Sequence, residues 1–175
     1  LFYEQGYDNT TVDDIVEESG TSKGSFYHYF DGKDALLSSL SILFDEKYEE
    51  LTGLLTPEMT AMEQLLFLNR ELFHMIEDSI SLDLLARLYS TQLTTNGEKH
   101  LLDHNRIYYK LLRKIIAKGQ AEGQLSSRSN VNEMVKLYAL CERALLYDWC
   151  LCAGEYALTE YSAKVLPGFL SSFLP

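Results

Sequence analysis

The stretch TTVDDIVEESGTSKGSFYHYFDGKDALL, residues 10–37, reads as two short helices around a tight glycine turn, with a third helix following. Thr10 and Thr11 can cap the first helix, with Asp13 or Asp14 three positions on, and Val12, Ile15 and Val16 give it an apolar stripe. Gly20 stops it. Ser22 can cap the second helix, where Phe26 and Phe30 lie four apart on one face and Lys23, Gly24, Tyr27 and His28 occupy the opposite arc. Asp31, with Asp34 three residues later, is expected to cap a third helix that carries Lys33 in its first turn and continues into Ala35, Leu36 and Leu37. One face of the second helix is therefore core, and the other is free to touch a partner.

Outward from this stretch the pattern extends to Phe2, to Gly6 and Tyr7, to Thr10–Val12 and Ile15, and through Ser22–Phe30 to Lys33. Together these residues resemble the DNA-binding domain of the tetracycline-repressor (TetR) family of bacterial transcription regulators, over roughly the first forty residues. The pattern is specific because core, turn, cap and contact positions all agree. The resemblance implies an all-α chain, with a helix-turn-helix DNA-binding domain at residues 1–46 and an effector-binding and dimerisation domain at 47–175. It also implies that the N-terminal residues of the second helix of the motif, Ser22, Lys23, Gly24 and Ser25, approach base edges in the major groove. Tyr27, His28 and Lys33 would then hold phosphates, helped by Thr11 and its helix N-terminus. Leu1–Gln5 reads as the tail of a helix whose first turns lie upstream, where relatives carry a basic arm.

Composition bounds the alternatives. A chain of 175 residues with 46% hydrophobic content holds one domain, or two small ones, with a proper core. No apolar run approaches the ~20 residues needed to cross a bilayer, and the opening lacks a signal-peptide pattern, so the cytoplasm is expected. Cys141, Cys150 and Cys152 read as reduced thiols, since residues two apart on a helix diverge. The formal net charge of −11 argues against indiscriminate nucleic-acid binding. Residues 1–50 alone hold three lysines against twelve acids, but residues 22–30 contain Lys23 and no acid. Local sign matters more than the total at a contact surface.

After Lys33 the chain reads as helical throughout, with breaks at Thr56-Pro57, Asp78–Ser81, Asn96-Gly97, 123–130 and Gly154. One helix is expected from about Gly32 to Leu55, with Leu36, Leu37, Leu40, Leu43, Phe44 and Tyr48 packing inward, linking the two domains. Thr60 with Glu63 reads as a capping box, Ser81 opens a shorter helix, and Gly97 is expected to begin a long helix through Lys118. Asn130 with Glu133 opens an apolar helix to about Ala153, and a last helix over 158–174 is expected to bend at Pro167-Gly168. Gly119-x-x-x-Gly123-x-Leu125 resembles the connection before the last two helices of TetR relatives, although a helix C-terminus with a capping glycine explains most of it. In that family the last two helices pair with their copies in a homodimer. Here Val135, Leu146, Val165, Phe169 and Phe173 are the candidate contacts.

The chemistry of catalysis is absent from the pattern. No nucleophile elbow or phosphate-cradling loop is found, so an enzyme is not expected. His100 and His104 are four apart, but the glutamate of a His-Glu-x-x-His site and a third ligand are missing, so no metal or cofactor is expected. Phe67, Arg70, Phe73, His74, Tyr89, Tyr108, Tyr138, Glu142 and Trp149 are candidates for an effector pocket, being aromatic or polar groups on mutually packed helices. The expected function is that of a ligand-responsive repressor binding a palindromic double-stranded DNA operator as a homodimer. The alternative, favoured by the acidic balance, is an all-α ligand-binding or protein-interaction module that kept this fold and lost DNA binding.

Overall fold

The computed structural model describes residues 1–94 and 99–175, and every regular element among them is helical. The expected break at Asn96-Gly97, with Gly97 as a helix start, lies outside the described residues.

The first elements follow the sequence closely. A short α1 (Phe2–Gln5) precedes α2 (Val12–Ser19), whose N-cap Thr11 accepts from Asp14 N while the Asp14 carboxylate accepts from Thr11 N. Thr10 is buried instead, its hydroxyl donating to Gly6 O. Gly20 ends α2 at φ 64°, a left-handed position that suits a residue without Cβ. Ser22 caps α3 (Lys23–Tyr29) by accepting from Ser25 N, and Phe26 turns into the core.

Beyond Phe30 the expectation needs correction. Asp31 and Asp34 do not cap a helix: Gly32 is the N-cap, without a side-chain bond, and Asp34 instead accepts from the Tyr7 hydroxyl. A 3-10 segment (Lys33–Ser38) therefore precedes α4 (Ser39–Thr52), where one continuous helix was expected. Leu40, Phe44, Tyr48 and Leu51 of α4 are buried, but Leu43 is exposed.

The remaining helices pack around α5 (Ala61–Ser79), which the Thr60–Glu63 capping box opens and which buries Leu65, Leu68, Leu72, Phe73 and Ile76. It lies against α4, α7 (Ile107–Ala121) and α9 (Leu158–Leu170), while α8 (Val131–Leu151) packs on α6 (Leu82–Thr94), α7 and α9. Asn130 caps α8 by accepting from Glu133 N. The long helix expected up to Lys118 is broken: His100–Leu102 is a 3-10 turn, and Asp103 accepts from Asn105 N to turn the chain before α7 starts. His100 and His104 consequently do not share a helical face. Pro167 sits within α9, which continues to Leu170 before a final 3-10 turn (Ser171–Phe173).

Gly119 owes its place to contact. A Cβ there would stand 2.6 Å from Ala61 Cβ and 2.8 Å from Leu125 Cδ1, so only glycine lets α7 approach the start of α5 this closely. Gly123 then turns the chain at φ 71°, and Leu125 is buried beneath it. No described helix is long and apolar enough to cross a membrane.

Candidate nucleic-acid interface and effector cavity

Because Phe26 anchors α3 by one face, Ser22, Lys23, Gly24, Ser25, Tyr27 and His28 all lie exposed on the other. Gly24 has open space above it, the nearest atom to an added Cβ being Ser22 Oγ at 3.7 Å. Lys23 is not free: its ammonium stands 2.6 Å from Asp13 of α2, whose carboxylate pushes the lysine pKa up. Thr11 is exposed at the start of α2, but its N–H is already held by Asp14, whose carboxyl is pulled down by the Thr11 hydroxyl and backbone. Lys33 is half-buried and turned inward. Its ammonium donates to Tyr7 O at 2.6 Å and lies 4.2 Å from the centre of the Tyr7 ring.

The start of the chain is tied to α6. Tyr7 N donates to Asp83 of α6 at 3.2 Å, and Arg87, one turn further along α6, pairs with Asp8. Arg106, the residue before α7, binds Asp45 of α4 through two nitrogens and also donates to Ser41 O.

Beneath α4 lies a narrow chamber of about 50 Å³, lined by residues that include Phe44, Tyr48, Tyr89, Tyr108, Arg106, Glu142 and Arg143. Glu142 is fully enclosed. Asn69 donates to its Oε1 at 2.9 Å and Tyr108 to its Oε2 at 2.6 Å, while Ser162 donates to Asn69 in turn. Burial pushes the Glu142 carboxyl up, and the hydrogen bonds from Tyr108 and Asn69 pull against it. Burial likewise holds the Tyr48, Tyr108 and Tyr138 phenols well above their ordinary range. The Tyr48 hydroxyl has no hydrogen-bond partner among the described residues. A buried hydroxyl without a partner costs about 1–3 kcal/mol.

Tyr89, Leu101 and Arg143 also line a separate apolar groove of about 440 Å³ between α6 and α8, walled further by Leu93, Leu102, Leu140, Ala144 and Tyr147. A third hollow, of about 670 Å³, lies between α5 and α9 with Phe67 and Arg70 on its wall and Asn69 and Ser162 at its edge.

Residues 1–40 match the profile of the tetR family of bacterial regulatory proteins, over the helices just described. Over those residues the chain is similar to the tetR family. Among curated relatives, the Bacillus subtilis HTH-type transcriptional regulator YuxN is 40% identical over 57 residues, 32% of this chain and 20% of that protein. YvdT, another HTH-type regulator of Bacillus subtilis, is 28% identical over 128 residues, 73% of this chain and 65% of that one. The chain thus spans less than two thirds of the length of these relatives. Among solved structures, the Thermus thermophilus repressor FadR, in complex with lauroyl-CoA, has the same fold at a TM-score of 0.77 and 24% identity, covering 100% of this chain and 90% of that one.

The expected pocket residues separate in the structure. Tyr89, Tyr108 and Glu142 meet in the chamber, whereas Phe67 and Arg70 belong to the hollow between α5 and α9. Phe73, Tyr138 and Trp149 are core residues, with the Tyr138 hydroxyl donating to Leu65 O and the Trp149 indole to Tyr156 O. His74 faces solvent, 3.4 Å from Asp78. Of the dimer candidates, Val135, Leu146 and Phe173 are buried within this chain, and Val165 and Phe169 are half-buried. The exposed apolar stripe of α8 is instead Leu137, Leu140, Tyr147 and Leu151. Sequence reasoning passed over Tyr48, Asp45, Arg106 and Arg143 as site residues. A tyrosine in a core position carries a hydroxyl that must find a partner, and that was the available signal for Tyr48.

Proposed function

We propose that this chain is a DNA-binding transcription regulator, a repressor that binds a palindromic operator as a homodimer and responds to a small molecule. The observation that carries the reading is α3: a helix anchored by Phe26 that leaves Ser22, Lys23, Gly24, Ser25, Tyr27 and His28 together on one exposed face. Residues 1–46 would form the DNA-binding unit and 47–175 the effector and dimer unit. Ser22–Ser25 would meet base edges, with Tyr27, His28 and Thr11 on phosphates. The inward bonds of Lys33 favour a role in holding Tyr7 over direct phosphate contact. Repression is the role named for Thermus thermophilus FadR, and the acyl-CoA held by that protein supports an effector among the helices of this one.

Dimerisation is supported by Leu137, Leu140, Ala144, Tyr147 and Leu151, which recur at alternating three- and four-residue steps along the outer face of α8, with exposed Tyr161 on α9 nearby in sequence. Two copies joined there would place their α3 helices for half-sites about 34 Å apart. No described helix being apolar enough for a membrane, we place the protein in the cytoplasm with DNA.

The Asp13–Lys23 ion pair favours a second reading, a module of this fold without DNA binding, because it neutralises the one lysine on the α3 face. Footprinting the protein on DNA from upstream of its own gene separates the two. Protection of a two-fold symmetric site supports the repressor, and no protection at low salt supports the module.

A further inference from the structure

We propose that this chain carries a second self-association surface, separate from the apolar stripe of α8, in which the lysine face of α7 in one copy seats on the glutamate face of α4 in another, and the reverse. Neither DNA nor an effector is required for it.

Charge is divided unevenly between these two helices. In a chain of net charge −11, α7 carries four cations, Lys110, Arg113, Lys114 and Lys118, and no acid. Arg113 turns towards α8, donating to His104 O and lining a hollow with Asn132 and Val135, while Lys118 stands 3.8 Å from Glu122. Lys110 and Lys114, one turn apart and exposed, have no ion-pair or hydrogen-bond partner for their ammonium groups among the described residues. The reverse holds for α4, with four acids and one lysine. Asp45 is held by Arg106 and Glu50 by Lys47, which leaves Glu46 and Glu49 exposed and equally unpaired among the described residues.

Packing sets the two faces side by side. Arg106 meets Asp45 and the Tyr108 ring lies 5.0 Å from that of Tyr48, so α7 runs beside α4 in the same direction, and both rest on α5. With their inner faces buried there, Glu46 and Glu49 of α4 and Lys110 and Lys114 of α7 are left on the outward side. A two-fold axis parallel to the helices would bring each lysine face onto the glutamate face of the other copy, so the surface is self-complementary. Ala117 and Ala121, exposed beside the lysines, are small enough to receive Ile42 and Leu43, the apolar side chains of α4 that stand 60% and 41% exposed. From Arg106 the lysine face leads away from the start of α4, and with it from α3, towards Ala61 at the head of α5, which favours a second copy over DNA as the occupant. Repulsion between copies of charge −11 opposes the contact, but at about 0.1 M salt it is screened beyond about 10 Å, and the facing pairs decide.

Sedimentation velocity of the full chain at tens of micromolar, after nuclease treatment, tests this at about 0.1 M and about 1 M salt. The high-salt species is the reference, whether one copy or two, and the low-salt species is expected at twice its mass. Lys110→Glu with Lys114→Glu should weaken the association at least tenfold, and so should Glu46→Lys with Glu49→Lys, all four positions being exposed. An equimolar mixture of the two reversed variants should associate as wild type does, because each α7 face then meets an α4 face of opposite sign. A merely damaged fold does not recover on mixing. Lys110→Gln with Lys114→Gln, expected to weaken association several-fold, keeps the test decisive if a reversed variant fails to fold. No rise in mass at low salt overturns the proposal, as does association that survives either reversal or the glutamine pair at full strength, or a mixture that stays apart. Salt-sensitive binding of a random DNA duplex that depends on Lys110 and Lys114, with the mass of the protein unchanged, makes nucleic acid the occupant of this face and overturns it too.

Discussion

Arg106 grips Asp45 with two nitrogens, Nη2 on Oδ1 at 2.9 Å and Nε on Oδ2 at 3.1 Å, tying the start of α7 to the middle of α4. Both side chains are largely enclosed, at 10% and 16% exposure, so removing one leaves the other charge poorly solvated. Arg106→Leu should lower stability by about 2–4 kcal/mol, measurable by urea unfolding. Asp45→Asn with Arg106→Leu together should cost less than the sum of the two single changes.

A second ion pair acts on function. Asp13 sits 2.6 Å from Lys23 on the face of α3 that would meet DNA, and both are well exposed. Asp13→Asn frees Lys23 and removes a charge that repels phosphate, with little effect on the fold. DNA binding should tighten several-fold, and the slope of log K against log salt should steepen by about one. Fluorescence anisotropy across a salt series measures both.

The pH dependence of stability carries the signature of Glu142. Burial raises its carboxyl above the ordinary 4.5, so the folded state binds a proton that the unfolded state has released. Its contribution is therefore fully present below pH 4.5 and is lost as pH rises through the raised folded value. Thermal unfolding should find wild type losing stability relative to Glu142→Gln as pH climbs above 4.5, and the two curves should converge below it.

Gly119→Ala tests the close approach of α7 to α5. The new Cβ would fall 2.6 Å from Ala61 Cβ and under 3 Å from Leu125, neither of which has room to retreat from the core. A loss of about 1–3 kcal/mol is expected despite the better helix propensity of alanine. Gly123→Ala, at φ 71° with open space around it, should cost less, through backbone strain alone.

Local signals were legible because they are encoded within four residues. Thr11, Ser22, Thr60 and Asn130 each cap the helix that their sequence neighbours announce. What escaped was encoded across the fold. The N-terminus of α9 has no cap of its own; Glu77, at the end of α5, accepts from Leu158 N and Thr159 N. Asp34 looked like a cap and was drawn off by Tyr7. The apolar run around Leu101 and Leu102 mimicked helical periodicity, and only the Asp103–Asn105 turn broke it. In the candidate site, Tyr108 and Glu142 were visible as polar groups on apolar helices, but their meeting with Tyr48 and Arg143 depends on how α4, α7 and α8 pack.

The claim that α3 reads DNA is tested most directly at Gly24, where the added methyl of Gly24→Ala meets nothing closer than Ser22 Oγ at 3.7 Å and projects from the exposed face. The account predicts that this variant melts at or up to a few degrees above wild type, because alanine favours the helix by up to about 1 kcal/mol. It predicts at the same time that affinity for the footprinted upstream site falls at least tenfold, since the methyl blocks close approach of the helix to the base edges. Unchanged operator affinity in a folded Gly24→Ala protein would contradict it.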